Sequence, residues 1–280
     1  MPGILYVVAT PIGNIEEITT RALTILSEVD IVAAEDTRTT KLMLNILGLK
    51  APKFTSYHKF NEKKKQDSLL EELAAGKNIA LVSEAGTPCI SDPGYYLVCA
   101  AAKRGIQIMG ISGPCAAITA LSISGFPAEP FTFLGFLPKK DKEIAKIFKA
   151  LDNTVIFYES PKRITATMGI LAEQYPSAGI CLCNDISKQY ERIYRGTPPE
   201  IIESIAANPH AEKGEYTCVM HLTAASGDSE GTSSAPSLES LLIDIMVKSG
   251  CDMKAAIKTL SAEYAKNEIY AASLRLKELV

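Results

Sequence analysis

The sequence predicts an α/β protein made of two domains, followed by a small helical region. Short apolar runs alternate with helical patterns through the first 125 residues, and this alternation is typical of a parallel sheet. The next hundred residues contain more strand and a less regular alternation, as expected for an α+β domain. A chain of 280 residues is long enough for two such domains.

Changes in composition along the chain predict where these regions begin and end. The segment GFPAEP at 125–130 is rich in turn-forming residues and predicts a hinge. The segment at 223–237 is small and polar throughout, which is typical of a flexible linker. The tail beyond it has a helical period, with breaks expected at Gly250 and near Asn267. The predicted regions are an amino-terminal α/β domain (1–125), a second α/β domain (126–222), a linker (223–237) and a helical carboxyl-terminal domain (238–280).

Each predicted strand is a short apolar run that ends in turn-forming or polar residues. The strands of the first domain cover residues 4–9, 30–34, 79–82 and 106–111, and those of the second cover 131–137, 154–158, 179–184 and 216–222. The helices of the first domain are marked by their ends. Thr19 or Thr20 can cap a helix that runs to about Glu28, and Gly48 and Gly105 stop two later helices.

The bulk composition is that of a soluble globular protein, with 47% hydrophobic and 22% charged residues. No apolar run approaches the roughly 18 residues that a membrane span needs, and no basic leader precedes the first apolar run. Seven cysteines in mostly apolar surroundings indicate core thiols rather than disulfides or a metal site, so we expect a cytoplasmic protein. A net charge of −3 leaves no overall basic field, and any nucleic-acid contact must use local patches.

The segment IALVSEAGTPCISDPG at 79–94 predicts a ligand site. Its four apolar residues form a buried strand, and the strand runs into a long loop of Gly, Pro, Ser, Thr and acidic residues. Open α/β sheets bind their ligands at the carboxyl ends of strands. Gly86 allows a ligand to approach the main chain, while Ser91 and Asp92 supply hydrogen-bonding groups. The alternative is an ordinary strand-to-helix connection.

Other strand ends carry residues of the same kind, which indicates a cleft where several of them converge. These ends hold Glu35, Asp36 and Arg38; Ser112 and Gly113; Glu159, Lys162 and Arg163; and Asp185 and Lys188. The three histidines stand outside any Ser-His-Asp context, and the sequence lacks HExxH, GxxxxGK[ST] and GxGxxG. Metal-dependent hydrolysis, Walker-type nucleotide use and Rossmann dinucleotide binding are therefore disfavoured.

Seven segments occur in the order found in one known family. They are VATPIGN (8–14), AAEDTRTT (33–40), SEAGTPCISDPG (83–94), SGPCAAITAL (112–121), FLGFLPKK (133–140), FYESPKRI (157–164) and KGEY (213–216). On these motifs the chain resembles the tetrapyrrole methylase superfamily, and within it the branch that acts on small-subunit ribosomal RNA. The resemblance runs from Leu5 to Leu222, and the helical tail is similar to the extra domain of that branch.

The resemblance implies two α/β domains of the tetrapyrrole methylase type, with an S-adenosylmethionine site in the cleft between them, and a homodimer. It implies methyl transfer to the ribose 2′-hydroxyl of a cytidine in the decoding region of 16S rRNA, with the small ribosomal subunit as partner. By motif position it also implies a set of cofactor-binding residues. These are Pro11, Glu84, Ala85, Gly86, Thr87, Ser91, Asp92, Ser112, Gly113, Pro114, Ala116, Ala117, Leu134, Gly135, Phe136, Glu215 and Tyr216.

A sulfonium methyl group is already activated, so the reaction needs no metal but needs alignment and removal of a hydroxyl proton. The candidate bases are Asp36, His58 and Glu159. Lys162, Arg163 and Lys188 could lower the hydroxyl pKa or hold a phosphate. Two alternatives stay open at this point: the acid at 159 could pair with the arginine at 163, and the acid at 36 could merely cap the following helix.

Two lysine runs are the candidate phosphate contacts. They comprise Lys63, Lys64 and Lys65, and Lys139, Lys140 and Lys142, with Lys146 and Lys149 continuing the second run. Such runs are also compatible with an ordinary solvated face. Aromatic residues make up only 7% of the chain, which favours recognition of a folded RNA by shape and backbone over base stacking.

Two other functions compete with an RNA methyltransferase. One is a methylase of a corrin or porphyrin precursor, which the basic runs and the helical tail disfavour. The other is a non-catalytic RNA- or ribosome-binding module, which the complete loop at 83–94 disfavours, because a module without cofactor would not need it. Stabilisation by the cofactor would discriminate between an enzyme and such a module.

Overall fold

The computed structural model describes residues 1–50, 52–222, 238–261 and 264–277. The predicted linker at 223–237 lies outside these residues. The chain divides into two compact units, Met1–Ala224 and Ala225–Val280, and each is described by itself. The first unit contains two separate five-stranded sheets, in agreement with the predicted α/β class. The predicted boundary between residues 125 and 126 falls between these sheets and stays a prediction.

The first sheet is parallel throughout and has the strand order β3-β2-β4-β1-β5. Its strands are β1 (Leu5–Val8), β2 (Ile31–Ala34), β3 (Lys53–Ser56), β4 (Ile79–Val82) and β5 (Ile108–Ile111). Its helices are α1 (Thr20–Glu28), α2 (Thr37–Ile46), α3 (Glu62–Ala74), α4 (Tyr95–Lys103) and α5 (Ala116–Ser124). All eight residues of β2 and β4 are buried, so the middle of this sheet is covered on both faces, as is typical of parallel sheets.

Local sequence explains most of these boundaries. The hydroxyl of Thr19 accepts a hydrogen bond from the Ala22 amide at 3.2 Å and so caps α1, as predicted. Gly48 and Gly105 follow α2 and α4 with positive φ, in the left-handed conformation that ends a helix. Strand β3 lies within a segment for which no strand was predicted. It is a half-exposed edge strand with the mixed sequence KFTS, so it lacks an apolar run.

The second sheet is mixed and has the order β6-β7-β10-β8-β9. Its strands are β6 (Phe131–Phe136), β7 (Thr154–Glu159), β8 (Gly179–Asn184), β9 (Arg192–Gly196) and β10 (Tyr216–His221), and its helices are α6 (Asp141–Phe148), α7 (Ile164–Gln174) and α8 (Pro198–Ala206). Only β6 and β7 are parallel, while the remaining neighbours are antiparallel. The structure extends the predicted strand at 154–158 by one residue, so that Glu159 ends β7 instead of starting the loop.

In the second unit the structure describes three helices, α9 (Leu238–Ser249), α10 (Met253–Leu260) and α11 (Lys266–Lys277). They pack around a small core that includes Leu242, Leu260 and Ile269. The predicted break at Gly250 is confirmed, since this glycine has a φ of +60° and follows α9. The break expected near Asn267 lies just before that residue, since α10 ends at Leu260 and α11 begins at Lys266. Among the described residues, no helix is long and apolar enough to cross a membrane.

Candidate functional site: a carboxylate-lined pocket between two sheets

A pocket of about 360 Å³ lies at the carboxyl edge of the first sheet and is closed on its other side by the second sheet. The first sheet lines it with Ile12, Glu35, Glu84, Ala85, Gly86, Thr87, Ile90, Ser91, Asp92, Cys115 and Ala116. The second sheet and its loops add Phe136, Tyr158, Glu159, Ser160, Pro161, Ile186, Glu215, Tyr216 and Thr217. The size falls within the usual range for a small-molecule site, roughly 300–1,000 Å³.

Hydrogen bonds hold the loops of the first sheet together at the pocket. The backbones of Thr10 and Gly86 exchange two hydrogen bonds, at 2.9 and 3.0 Å, which join the loop after β1 to the loop after β4. The hydroxyl of Thr87 donates to the Pro114 carbonyl at 3.1 Å and ties in the loop after β5. Gly86 has a φ of +80°, and a side chain there would crowd Ile12. Three motifs that are distant in sequence therefore form one rigid wall.

The loop after β4 stores backbone strain where it meets the second sheet. Cys89 and Ser91 have φ values of 71° and 69°, a region that L-residues other than Gly, Asn and Asp rarely occupy. Gly135 also has a positive φ, and a Cβ at this position would lie 2.9 Å from the Ser91 hydroxyl. Strand β6 thus approaches the strained loop closely. Such strain is common at binding sites, because the surrounding structure fixes the loop before a ligand arrives.

Glu35, Glu84 and Asp92 form a group of acids on the first-sheet side of the pocket, which we call the carboxylate cluster. Burial, reinforced by the neighbouring Glu35, raises the pKa of Asp92 from its ordinary value to about 7. Burial also raises the pKa of Glu35, and the negative charge of Glu84 adds to this, although the Glu84 amide donates a hydrogen bond to Glu35 that partly opposes the rise. Within the described part of the chain, no ion pair neutralises any of the three.

Glu159 and Glu215 bring the number of acids among the described lining residues to five, and none of these lining residues is Lys, Arg or His. Glu159 and Glu215 each have a basic partner outside the lining, so the unpaired negative charge of the pocket comes from the carboxylate cluster and suits a ligand that carries positive charge. Among the described residues, no group of His, Cys, Asp or Glu side chains has the arrangement of a metal site. An organic cation is the class of ligand that this lining fits.

Glu159 lies in the pocket wall, but its oxygens are already engaged in the fold. Its side chain is 0% exposed and accepts hydrogen bonds from the Ser160 amide at 2.7 Å and the Thr167 hydroxyl at 2.9 Å. Arg163 lies 3.4 Å away and donates to the carbonyls of Leu137 and Pro138. This network fastens the end of β7 to the end of β6, so the ion-pair alternative considered for Glu159 describes what the structure contains.

Asp36, the second candidate base, lies outside the pocket lining and caps α2. Its carboxylate accepts hydrogen bonds from the Arg38 amide and guanidinium, both at 2.7 Å. The guanidinium and the amide hold the pKa of Asp36 well below its usual range. A carboxylate stabilised in its ionised form is a weak proton acceptor, so the geometry supports the helix-capping alternative.

The remaining catalytic candidates also lie outside the pocket lining. His58 follows β3, close enough for its charge to act on Glu35, and its buried Nδ1 has no hydrogen-bond partner within the described ranges. Lys188 is held between Asp185 and Glu215, at 2.8 Å from each. Lys162 is exposed, and the described residues give it no ion pair. Of these groups, Lys188 acts on the pocket through Glu215, which lines it.

The structure brings together ten of the residues that the family motifs point to for cofactor binding. Those in the pocket lining are Glu84, Ala85, Gly86, Thr87, Ser91, Asp92, Ala116, Phe136, Glu215 and Tyr216. The other residues are outside the pocket lining: Pro11, Ser112, Gly113, Pro114, Ala117, Leu134 and Gly135. Gly113, for example, packs against Ala9, where a Cβ would lie 3.0 Å from the alanine methyl.

Sequence reasoning named Glu35 among the polar strand ends that converge on a cleft but gave it no role, and it missed Tyr158 as a lining residue. Glu35 sits beside Asp36 at the end of β2, and the contacts of Asp36 with Arg38 distinguish the two acids, because Glu35 has no such partner among the described residues. Tyr158 follows four buried residues in β7 and is itself half-buried, and the continuous apolar run of this strand gives no alternation that would mark it as a lining residue. Burial raises its pKa to about 12, so it stays a hydroxyl at neutral pH.

The two lysine runs occupy the first turns of helices. Lys63, Lys64 and Lys65 begin α3, and the ammonium group of Lys63 lies 5.2 Å from the centre of the Tyr96 ring. The second run precedes and enters α6, where its lysines are exposed and Lys140 pairs with Glu143 at 2.9 Å. Lysines are unfavourable near a helix amino terminus, so the fold gains little from those in α3.

Comparison with known proteins assigns the chain to a family. Residues 4–202 match the family model described as Tetrapyrrole (Corrin/Porphyrin) Methylases. The Ribosomal RNA small subunit methyltransferase I of Escherichia coli O157:H7 is 38% identical over 97% of this chain and 95% of its own length. The protein of that name from Haemophilus influenzae is 39% identical over 98% and 97%, respectively.

Solved structures share the fold at low sequence identity. A cobalt precorrin-4 methyltransferase superimposes with a TM-score of 0.57 at 14% identity, over 78% of this chain and 94% of that one. The uroporphyrin-III C-methyltransferase of Thermus thermophilus, complexed with S-adenosylhomocysteine, gives a TM-score of 0.52 at 16% identity, over 78% and 97%. With the sequence relatives, these findings show that the chain belongs to the tetrapyrrole methylase family, within the group of ribosomal RNA small subunit methyltransferase I.

Proposed function

We propose that this protein transfers a methyl group from S-adenosylmethionine to the ribose 2′-hydroxyl of a cytidine in the decoding region of 16S rRNA. The observation that carries the proposal is the electronegative pocket at the carboxyl edge of the parallel sheet. It combines a rigid wall of family motifs with the unpaired carboxylate cluster, and the lining residues that the structure describes include no Lys, Arg or His. Relatives that are 38–39% identical over nearly the whole chain are named as ribosomal RNA methyltransferases, which supports RNA as the acceptor.

The chemistry of the pocket lining fits S-adenosylmethionine. The cofactor carries a sulfonium and an ammonium group, and the carboxylate cluster offers negative charge to hold them. The backbone of the loop after β4, opened by Gly86 and Thr87, can hydrogen-bond the polar parts, and Ile12, Ile90 and Phe136 add apolar surface. The neighbouring structure solved with S-adenosylhomocysteine shares the fold, which makes this pocket the natural place to test.

The bound cofactor supplies an activated methyl group, and the protein supplies alignment and a proton acceptor. The ribose oxygen forms a bond to the methyl carbon, the carbon–sulfur bond breaks, and the hydroxyl proton must leave. Asp92 suits the role of acceptor, because it lines the pocket, lacks an ion pair among the described residues and has a pKa of about 7. Transfer also removes the sulfonium charge, which favours protonation of a nearby carboxylate.

The exposed lysines at the start of α6 suit the binding of the RNA acceptor. The exposed lysines of α6 follow directly from β6, and Phe136 of that strand lines the pocket. Lysines at this position can contact phosphates and hold a folded RNA beside the cofactor. The small ribosomal subunit as partner, a cytoplasmic location and a homodimer belong to the same proposal.

Tetrapyrrole methylation is less well supported than RNA methylation. The family model and the solved structures of tetrapyrrole enzymes share the fold with this chain, but those structures are only 14–16% identical to it. At that distance a common fold does not transfer a substrate. The sequence relatives that cover nearly the whole chain carry the RNA name instead.

A methyl-transfer assay tests the proposal. Purified protein and labelled S-adenosylmethionine are incubated in parallel with unmethylated small subunits, free rRNA and a tetrapyrrole precursor. We expect label in the small subunit, mapped to a ribose of the decoding region. Label in the tetrapyrrole alone would overturn the RNA assignment, and cofactor binding without transfer to any acceptor would favour a non-catalytic module.

A further inference from the structure

A second, shallower groove opens beside the cofactor pocket, with a volume of about 680 Å³. Its floor is apolar and comes from the end of β6 and the loop that follows, and its far wall is α6. The lining residues are Leu134, Phe136, Leu137, Pro138, Glu143, Lys146 and Ile147. This groove is separate from the carboxylate cluster, since Phe136 is the residue that the two linings have in common.

Phe136 forms a partition between the groove and the cofactor pocket. Its side chain is 62% exposed, which is unusual for a phenylalanine at the end of a strand. The ring packs on Tyr158 with 5.6 Å between centroids, so it is held in place although most of its surface is free. An aromatic face that is fixed and open to solvent is a stacking surface for a nucleobase.

The rim of the groove carries positive charge, which the phosphates of an RNA strand require. Lys139 and Lys142 are exposed near the start of α6, and Lys146 reaches the groove from its last turn. Lys146 has no ion pair among the described residues, while Lys140 is paired with Glu143. A free ammonium group over an apolar floor suits a ligand with a flat base and a phosphate.

We propose that this groove holds the acceptor nucleotide of the RNA, unstacked from its neighbours, with its base against Phe136 and its phosphate at Lys146. The inference rests on the proposed function and adds to it the position of the acceptor. Stacking on this side of the partition brings the nucleotide next to the pocket where the methyl donor binds. The Glu143 carboxylate can accept a hydrogen bond from an exocyclic amino group, which cytosine offers and uracil lacks.

A matched pair of variants tests the groove. Lys146→Glu and Lys103→Glu make the same charge change on exposed lysines in the last turn of a helix, but Lys103, in α4, is outside the lining of the groove and of the pocket. We expect Lys146→Glu to raise KM for the small subunit by about tenfold or more, and Lys103→Glu to raise it about twofold or less. The dissociation constant of S-adenosylmethionine, measured by calorimetry, should stay unchanged in both.

A third variant tests the groove without changing charge. Ile147→Trp fills the groove from the α6 side and leaves the cofactor pocket untouched, since Ile147 does not line that pocket. We expect lower transfer to the small subunit at an unchanged cofactor affinity and an unchanged melting temperature. An equal rise in KM in the two lysine variants would overturn the proposal that the groove binds the acceptor nucleotide. Full activity in both Lys146→Glu and Ile147→Trp would overturn it as well. Failure of the proposed function is distinct, because the wild-type protein would then transfer no methyl group to the subunit.

Discussion

The two sheets of the first unit present charged residues at their strand ends in opposite ways. At the first sheet, the carboxylate cluster of Glu35, Glu84 and Asp92 lies against the pocket without an ion pair in the described part of the chain, and the pKa values of two members are raised. At the second sheet, Glu159 is bonded to Arg163, and Lys188 is bonded to its neighbours. The carboxylate cluster thus stays without an ion pair, whereas the paired groups of the second sheet hold the fold together.

This difference shows why charge at a strand end is an incomplete guide to chemistry. A carboxylate that already accepts several hydrogen bonds has little capacity left for a substrate proton. Glu35 and Asp92 are half-buried and have no ion pair among the described residues, and their raised pKa values mean that the fold disfavours their ionised forms. A protein keeps such carboxylates where a ligand offsets the cost. The comparison therefore assigns function to the carboxylate cluster and architecture to the charged residues of the second sheet.

The largest effect, on cofactor affinity, should follow from neutralising one member of the carboxylate cluster. Asp92→Asn removes a negative charge from the proposed cofactor site, and we expect the affinity for S-adenosylmethionine to fall about ten- to a hundredfold at pH 8. Isothermal titration calorimetry measures this change. Asp152→Asn is the matched control, because Asp152 is exposed and does not line the pocket. Equal affinities for the Asp92 variant and the wild-type protein would contradict the assignment of cofactor binding to the carboxylate cluster of the first sheet.

The same variant should be more stable than the wild-type protein in the absence of cofactor. The folded-state pKa of Asp92, about 7, is above its ordinary value of 3.8, so the folded chain binds more protons than the unfolded chain between these values. The stability of the wild-type protein therefore falls as pH rises through this window, whereas asparagine does not titrate. Thermal melts should place Asp92→Asn above the wild-type protein at pH 8, with the gap closing towards pH 4.

The second largest effect should be on stability at the other sheet. Glu159→Ala leaves the Thr167 hydroxyl and the Ser160 amide without their buried acceptor, and we expect a loss of about 2–4 kcal/mol in the free energy of unfolding. Denaturant titration measures the loss, and Glu159→Gln, which keeps an acceptor oxygen, should lose less. If Glu159 were the catalytic base instead, Glu159→Gln would fold normally and lose most of its kcat.

A smaller effect, on the dissociation constant of the cofactor, should follow from removing the ion pairs of Lys188. Lys188→Met breaks the pairs to Asp185 and Glu215, so Glu215 loses its partner while it still lines the pocket. We expect the dissociation constant of the cofactor to change by about two- to fivefold, with kcat preserved. Lys188→Arg keeps the charge and should restore most of the difference. A loss of kcat by orders of magnitude would instead place Lys188 at the reacting atoms.

The smallest effect should come from Asp36. Asp36→Asn keeps a good helix cap for α2 but loses the ionic contact with Arg38, so the melting temperature should fall slightly and kcat should change by about twofold or less. The lowered pKa of Asp36 means that its stabilising contact is present at neutral pH and is lost only in strong acid. A steady-state assay at saturating cofactor measures this change in kcat. A loss of kcat far larger than twofold would instead identify Asp36 as the catalytic base.

Much of the fold could be predicted from the sequence, because burial and turn chemistry agree in most elements. Strands β4 and β8 match their predicted bounds, since each is an apolar run with a clear start and end. Strand β3 escaped prediction because an edge strand needs few apolar residues. The end of β7 was misplaced by one residue because Glu159 is charged but fully buried, which only its tertiary partners explain.

The candidate site was predicted in outline but not in its roles. Local motifs pointed to the loop after β4, and the structure places Glu84, Gly86 and Asp92 in the pocket lining. The contact between Lys188 and Glu215 joins residues 27 positions apart, so no local pattern could show it. The raised pKa of Asp92 depends in the same way on burial and on Glu35, which follows β2, a different strand from the one that precedes Asp92.

The most direct test of this account is the pH dependence of S-adenosylmethionine binding to the wild-type protein, measured by calorimetry between pH 6 and 7.5. A positive ligand favours the ionised form of Asp92, whose pKa is about 7 in the free protein. The account predicts that affinity rises with pH, by about five- to tenfold across this range. It also predicts a weaker rise for S-adenosylhomocysteine, which lacks the sulfonium charge. An affinity for S-adenosylmethionine that stays flat or falls as pH rises would contradict the assignment of the carboxylate cluster as the cofactor site.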